Sequence, residues 1–236
     1  MIKYPKTPRL EAALRKDVSG WRHLNVVVGE KVDGANVGIG FDADELVLRS
    51  RGHVLRGGLR ERQFERLKGW AWGRADALRD ALGGRYVLFA EWCLAKHRVF
   101  YDALPSHLLV LDVYDREKDL FLSTPKLDGQ IAPLGLHSAP VLARGTFGAM
   151  HDFAQFIGPS RLKTNQWRQR LESAARRAGV TVPFEGTDDS DLMEGIYIKI
   201  EDGDRVVDRM KLREDLASCR FTLTTFSKDE DHFDRS

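Results

Sequence analysis

Residues 29–39 read GEKVDGANVGI. A lysine follows a carboxylate and precedes a small, turn-prone tetrapeptide, with β-like alternation on both sides. A surface lysine is ordinarily a solubilising charge, and a lone KxDG match is weak. Lys31 nevertheless stands at the end of an expected strand, beside small residues that would let a ligand come close. An amine nucleophile must be neutral, and the lysine reference value of about 10.4 means its surroundings must favour that form.

Outward from this stretch, β signals dominate. Residues 23–28 (HLNVVV), 36–41 and 45–50 (ELVLRS) read as strands, with Asp42-Ala43-Asp44 turning a hairpin. Gly57-Gly58 opens an expected helix whose apolar positions Phe64, Leu67, Ala71, Leu78 and Leu82 keep helical spacing, and Gly83-Gly84 stops it. Residues 85–92 (RYVLFAEW) and 107–114 (HLLVLDVY) read as strands, the second pairing with 119–122. Residues 148–157 and 164–178 read as helices of an insertion at about 146–180, with no catalytic signal. Strands return at 195–200 (GIYIKI) and 205–211 (RVVDRMK), joined by an Asp-Gly turn. The expectation is an α+β fold of mainly antiparallel sheets, with helices outside.

The bulk numbers agree with a globular protein. The chain has 236 residues, 42% hydrophobic and 31% charged, which suits one large elaborated domain. We expect that domain over residues 1–226 and a polar, acidic tail over 227–236. There is no apolar run of membrane-spanning length and no signal-peptide pattern. Two cysteines make no disulfide framework, so a cytoplasmic location is expected. Net charge is only +2, yet residues 49–68 concentrate arginine and glycine, a local footprint for a polyanion. Arg56, beside Gly57-Gly58, is the best phosphate candidate there. Residues 96–101 (KHRVFY) mix base and aromatic side chains, which suits either a nucleic-acid end, through phosphate contact and stacking, or a solvated loop.

Five ionisable residues lie in or beside short β segments: Lys31, Glu91, Glu194, Lys199 and Lys211. Charges in such apolar surroundings are rare unless partnered or functional. Together, KVDGAN (31–36), SRG (50–52), FAEW (89–92), LLVLDVY (108–114), EGIYIK (194–199) and RMK (209–211) resemble, in order and spacing, the motif series of the covalent nucleotidyltransferases. That superfamily comprises ATP-dependent DNA ligases, RNA ligases and mRNA capping enzymes. Asn36 is similar to the RNA ligase 2-like branch. Only 25 residues follow Lys211, too few for the OB-fold domain that continues DNA ligases and capping enzymes.

The resemblance implies the ATP-grasp-like adenylation fold of ligases, without an OB domain. It also implies an ATP-dependent RNA ligase. Lys31 would attack the α-phosphorus of ATP, and the AMP would pass to a 5′-phosphate end. A 3′-hydroxyl would then displace it. Lys199 and Lys211 would contact the α-phosphate and favour the neutral amine of Lys31. Arg209 occupies a position often basic in this branch and would contact the nucleotide. Glu91 would accept from the ribose hydroxyls, and Glu194 would help hold Mg²⁺, or Mn²⁺ in its place. Arg51 would touch a phosphate, Asn36 would orient it, and the backbone at Glu30 would face adenine. An aromatic residue often stands where this chain has Leu111, and an aliphatic one where it has Tyr197. An inverted sandwich on adenine is therefore expected. RNA with 5′-phosphate and 3′-hydroxyl ends is the implied partner, with a separate end-healing kinase or phosphatase. Two alternatives share the motifs: a nick-sealing DNA ligase lacking its own OB domain, and an adenylyltransferase that seals no nucleic acid.

Overall fold

The computed structural model describes residues 2–10, 21, 23–146 and 153–213. The expected tail at 227–236 and the start of the expected helix at 148–157 lie outside the described residues.

Alternation of apolar and polar residues builds ten strands among the described residues. They are β1 (Asn25–Glu30), β2 (Ala35–Asp42), β3 (Glu45–Ser50), β4 (Tyr86–Trp92), β5 (Leu108–Asp115), β6 (Leu120–Leu122), β7 (His137–Ser138), β8 (Val141–Thr146), β9 (Gly195–Asp202) and β10 (Arg205–Arg213). They form one sheet in the order β3-β2-β4-β5-β6-β10-β9-β1-β8, with β7 parallel to β5. Both expected hairpins form on two-residue turns, with Ala43 and Gly203 at positive φ (50° and 57°).

The sheet has two halves joined through the three-residue β6, which pairs with β5 on one side and β10 on the other. Each half has its own core. Ile39, Phe41, Leu88 and Val113 pack with Leu67, Leu78, Leu82, Leu127 and Ile131 from helices. Val26, Val28, Ile196, Ile198, Ile200, Met210 and Leu212 form the second core with Leu10 and Phe153. The opposite faces of the two halves turn toward a shared cavity.

The helices differ in detail from the sequence expectation. The long helix after Gly58 is a 3-10 segment, Leu59–Phe64, then α1 (Glu65–Trp72) and α2 (Ala75–Leu82). Gly73 is the C-cap of α1, and Arg74 has left helical geometry. A further helix, α3 (Thr124–Ile131), was not anticipated, nor were β7 and β8. The insertion contributes a 3-10 turn, Phe153–Phe156, and α4 (Trp167–Arg177). α4 buries Trp167, Leu171 and Ala175 on one face, as its spacing predicts.

Candidate active site

Lys31 leaves β1 at the mouth of a cavity of about 380 Å³, a volume within the range of small-molecule sites. Its backbone N–H donates to the Gly195 carbonyl (2.9 Å), which ties the lysine motif to the start of β9. The preceding residue, Glu194, pairs its carboxylate with Lys31 Nζ. Gly195 allows this junction: its φ is +151°, and a Cβ there would lie 2.2 Å from the Leu212 carbonyl oxygen. Gly34 has a role different from the expected ligand approach. A Cβ on it would meet the Trp92 carbonyl oxygen at 2.7 Å, so its smallness lets the lysine loop sit against β4.

Strand register then aligns the remaining motif residues. Ile196, Ile198 and Ile200 face the second core, so Tyr197, Lys199 and Glu201 share the other face. Across the ladder, Arg209 pairs with Lys199 and Lys211 with Tyr197. A bulge at Val206–Asp208 sets this parity.

Lys31, Arg51, Glu91, Asn36 and Lys211 line the cavity. Burial lowers the Lys211 ammonium from its ordinary value, and the charges of Lys31 and Arg51 lower it further. Glu91 is nearly buried, and that burial pushes its carboxyl up to about 7 against the opposing pull of Lys31, Asn36 and Arg51. Val27, Val110, Leu111, Leu127, Val141 and Tyr197 add apolar surface to the lining. Tyr197 and Leu111, the expected sandwich pair, therefore both border the cavity.

Lys199 and Arg209 are held differently from Lys211. Lys199 Nζ donates to the Leu111 carbonyl (2.6 Å) and lies 2.8 Å from the Asp112 carboxylate. Leu111 is the extra residue of a bulge in β5, which releases its carbonyl from the ladder. Arg209 is not among the cavity-lining residues. Its guanidinium lies 3.2 Å from Asp112 and 3.7 Å from the centre of the Phe121 ring. Burial opposes the Asp112 charge, but Lys199, Arg209 and a tyrosine hydroxyl hold its carboxyl below its ordinary value.

That hydroxyl belongs to Tyr4, which sequence reasoning did not find. Tyr4 also meets the Tyr197 hydroxyl at 2.7 Å, and its ring centre is 4.9 Å from that of Phe89. Glu30 lines the cavity with its N–H on the Pro140 carbonyl (2.8 Å). Its buried carboxylate accepts from Ser160 Oγ (2.5 Å) and the Arg161 N–H (2.9 Å), so it anchors the insertion beside the pocket. Glu201 likewise accepts from the backbone and hydroxyl of Thr124 (2.7 and 2.6 Å) and sets α3 as a cavity wall. Neither signal is local in sequence.

The KHRVFY segment is largely structural. Tyr101 is buried and accepts the Asp33 N–H (2.8 Å), while the Asp33 carboxylate takes the N–H groups of Arg98 and Val99 (2.7 and 2.9 Å). Tyr101 is thus closed to base stacking; Lys96 and Arg98 stay exposed. In the arginine-rich stretch, Glu61 is the organiser. It accepts from Lys68 Nζ (2.7 Å) and from the N–H groups of Arg56 and Gly57 (3.3 and 2.7 Å). The Lys68 contact leads in drawing the Glu61 carboxyl down to about 2. His53 bridges Glu61 and Ser50, both at 3.2 Å, and so holds the loop that carries Arg51.

A ten-stranded, mainly antiparallel sheet with few flanking helices and a lysine-centred cavity between its halves defines an α+β fold. The RNA ligase family model matches residues 24–213, and the chain belongs to that family. No curated protein sequence matches it. Among solved structures it is similar to Naegleria gruberi RNA ligase. A variant with ATP and Mn gives a TM-score of 0.55 at 17% identity over 91% of this chain and 56% of that chain. A variant with AMP and Mn gives 0.56 at 16% identity over 91% and 56%. The form with pyrophosphate gives 0.55 at 15% identity over 92% and 58%. This chain therefore spans little more than half the length of those proteins, and the likeness at these identities is one of fold.

Proposed function

We propose that this protein is an ATP-dependent RNA ligase that works through a lysyl–AMP intermediate in RNA repair. The observation that carries the proposal is the convergence of Lys31, Glu91, Arg51 and Lys211 on one cavity that also has apolar lining, with Glu194 paired to Lys31. Adenine suits the apolar surfaces of Tyr197 and Leu111, and the triphosphate suits the cations.

In the first step Lys31 Nζ bonds to the α-phosphorus, the bond to the pyrophosphate oxygen breaks, and the amine gives up its proton. Glu194 already touches that amine and is placed to receive the proton. Lys211 and Arg51 offset the charge that grows on the phosphate. Glu91 accepts from the ribose. The AMP then moves to an RNA 5′-phosphate, which converts a poor leaving arrangement into a good one, and a 3′-hydroxyl displaces it. Lys199 lines the cavity while paired with Asp112 and Leu111, and its ammonium keeps a third donor for the α-phosphate.

Among the described residues no cluster of three metal-ligating side chains exists. Glu194, beside Lys31, instead suits Mg²⁺, or Mn²⁺, carried in with nucleotide oxygens and water. When bound, such an ion would neutralise phosphate charge. The chemistry requires a 5′-phosphate and a 3′-hydroxyl, so broken RNA with other ends would need a separate kinase or phosphatase first. Two cysteines, with Cys93 free and buried, suit a reducing compartment such as the cytoplasm. A nick-sealing DNA ligase, or an adenylyltransferase that seals nothing, would use the same cavity.

Incubation with ATP labelled at the α-phosphate and Mg²⁺, followed by denaturation, tests the proposal. Label on the wild type that is lost in Lys31→Ala supports it, and sealing of RNA rather than DNA nicks separates the alternatives. No label on protein freed of bound AMP sinks it.

A further inference from the structure

The cavity has a wall that the motif series does not account for. Tyr4, Pro5, Lys6 and Thr7 all line it, on a segment that precedes every motif. The segment is tied down along its length. The Lys211 N–H donates to the Pro8 carbonyl (3.0 Å), Arg9 bridges Lys211, and Leu10 is buried in the second core.

Its hydroxyls form a chain of fixed direction. An ionised carboxylate only accepts, so Tyr4 donates to Asp112. Tyr197 must then donate to Tyr4 across 2.7 Å, and Thr7 approaches Tyr197 at 3.4 Å. Burial pushes Tyr197 up to about 12 and Tyr4 upward as well, so both keep their protons at neutral pH. The chain thus orients the ring that lines the cavity and ends on the carboxylate that holds Lys199.

Lys6 lies between these two anchorages. On one side is the Tyr4–Tyr197 contact, and on the other the backbone pairing to Lys211. It is exposed at the cavity and has no ion-pair partner among the described residues. A flexible ammonium there adds a cation to the side of the site that already holds Lys211.

We propose that segment 4–9 is an integral wall of the nucleotide site, in which Lys6 binds a phosphate group and Tyr4 is a positioning residue for Tyr197 and Lys199. This rests on the ligase proposal for the identity of the ligand. Two sources carry the phosphate: the triphosphate tail of ATP and the activated 5′ end of RNA.

Calorimetric titration with ATP and with AMP, in a Lys31→Ala background that cannot react, reads binding without chemistry. Single-turnover sealing of 5′-adenylylated RNA by otherwise wild-type protein reads the second source. Lys6→Ala is expected to weaken ATP about tenfold and AMP little, with Lys6→Arg restoring most of the loss. Unchanged ATP binding with about tenfold slower sealing assigns Lys6 to the RNA phosphate instead. Tyr4→Phe keeps the ring on Phe89 and removes only the hydroxyl. It is expected to weaken both ATP and AMP severalfold while the melting temperature stays near that of the wild type. Unchanged binding of both nucleotides and unchanged sealing in Lys6→Ala and Tyr4→Phe overturn the inference. A wild type that binds ATP yet forms no lysyl–AMP would instead overturn the ligase proposal and leave this wall standing.

Discussion

Lys199 Nζ lies 2.8 Å from the carboxylate of Asp112, and the Asp112 side chain is fully buried. The carboxylate also takes Arg209 and Tyr4, so two cations and a hydroxyl converge on one anion. A buried charge is tolerable only with such partners. Removing the anion would strand two cations in a low-dielectric site. Asp112→Ala should therefore destabilise the protein by about 3–5 kcal/mol. Urea unfolding of the variant against wild type measures this. A loss below about 1 kcal/mol would mean that the pair is solvated and contributes little.

Glu91 gives a pH dependence with a definite sign. Its folded carboxyl titrates at about 7 against an ordinary 4.5, mainly because burial disfavours its charge. The folded state thus binds the proton more tightly than the unfolded chain. Stability from this group is complete below pH 4.5 and is lost as pH rises through about 7, by about 3 kcal/mol in all. Glu91→Gln should remove that slope. Melting curves between pH 5 and pH 8 should show the variant gaining on wild type as pH rises; parallel curves would refute the assignment.

How much of this was visible in the sequence depends on how local each signal is. Alternation in GIYIKI put Tyr197 and Lys199 on one face, and the Asp-Gly turn set β10 beside them. Those residues were legible because β periodicity needs no partner to be read. Helix α3 was not, since TPKLDGQI carries proline and an internal glycine and is held at its start by Glu201 from a distant strand. Tyr4 was missed for the same reason: nothing near it in the chain announces Asp112. Arg209 was read as a nucleotide contact from its motif position, and its contacts with Asp112 and Phe121 come from strands far away in the sequence. Spacing reveals the face of a strand but not which neighbour captures the side chain.

Glu61 should control the loop that carries Arg51. Its carboxylate closes that loop through Lys68, His53 and the N–H groups of Arg56 and Gly57. Gly57 and Gly58, both at positive φ (117° and 115°), let the chain turn around it. Glu61→Ala should free the loop and let trypsin cut more readily at Arg51 and Arg56, which are already exposed. Cleavage there should speed severalfold while the global melting temperature changes little. Equal cleavage rates would show that the loop is held by other contacts.

Tyr197 and Leu111 both line the cavity, from β9 and from the bulge in β5. If adenine lies between them, the aromatic face is the stronger half, because ring stacking adds about 0.5–1.5 kcal/mol beyond area burial. Tyr197→Ala should then raise the KM for ATP about tenfold or more in lysyl–AMP formation, and Tyr197→Phe should raise it less. The gap between the two variants isolates the hydroxyl chain to Tyr4 from the ring itself. Leu111→Ala should raise KM modestly, since its carbonyl, which holds Lys199, belongs to the backbone and survives the change. An unchanged KM in Tyr197→Ala would place adenine elsewhere and leave Tyr197 as a packing residue between Thr7 and Tyr4.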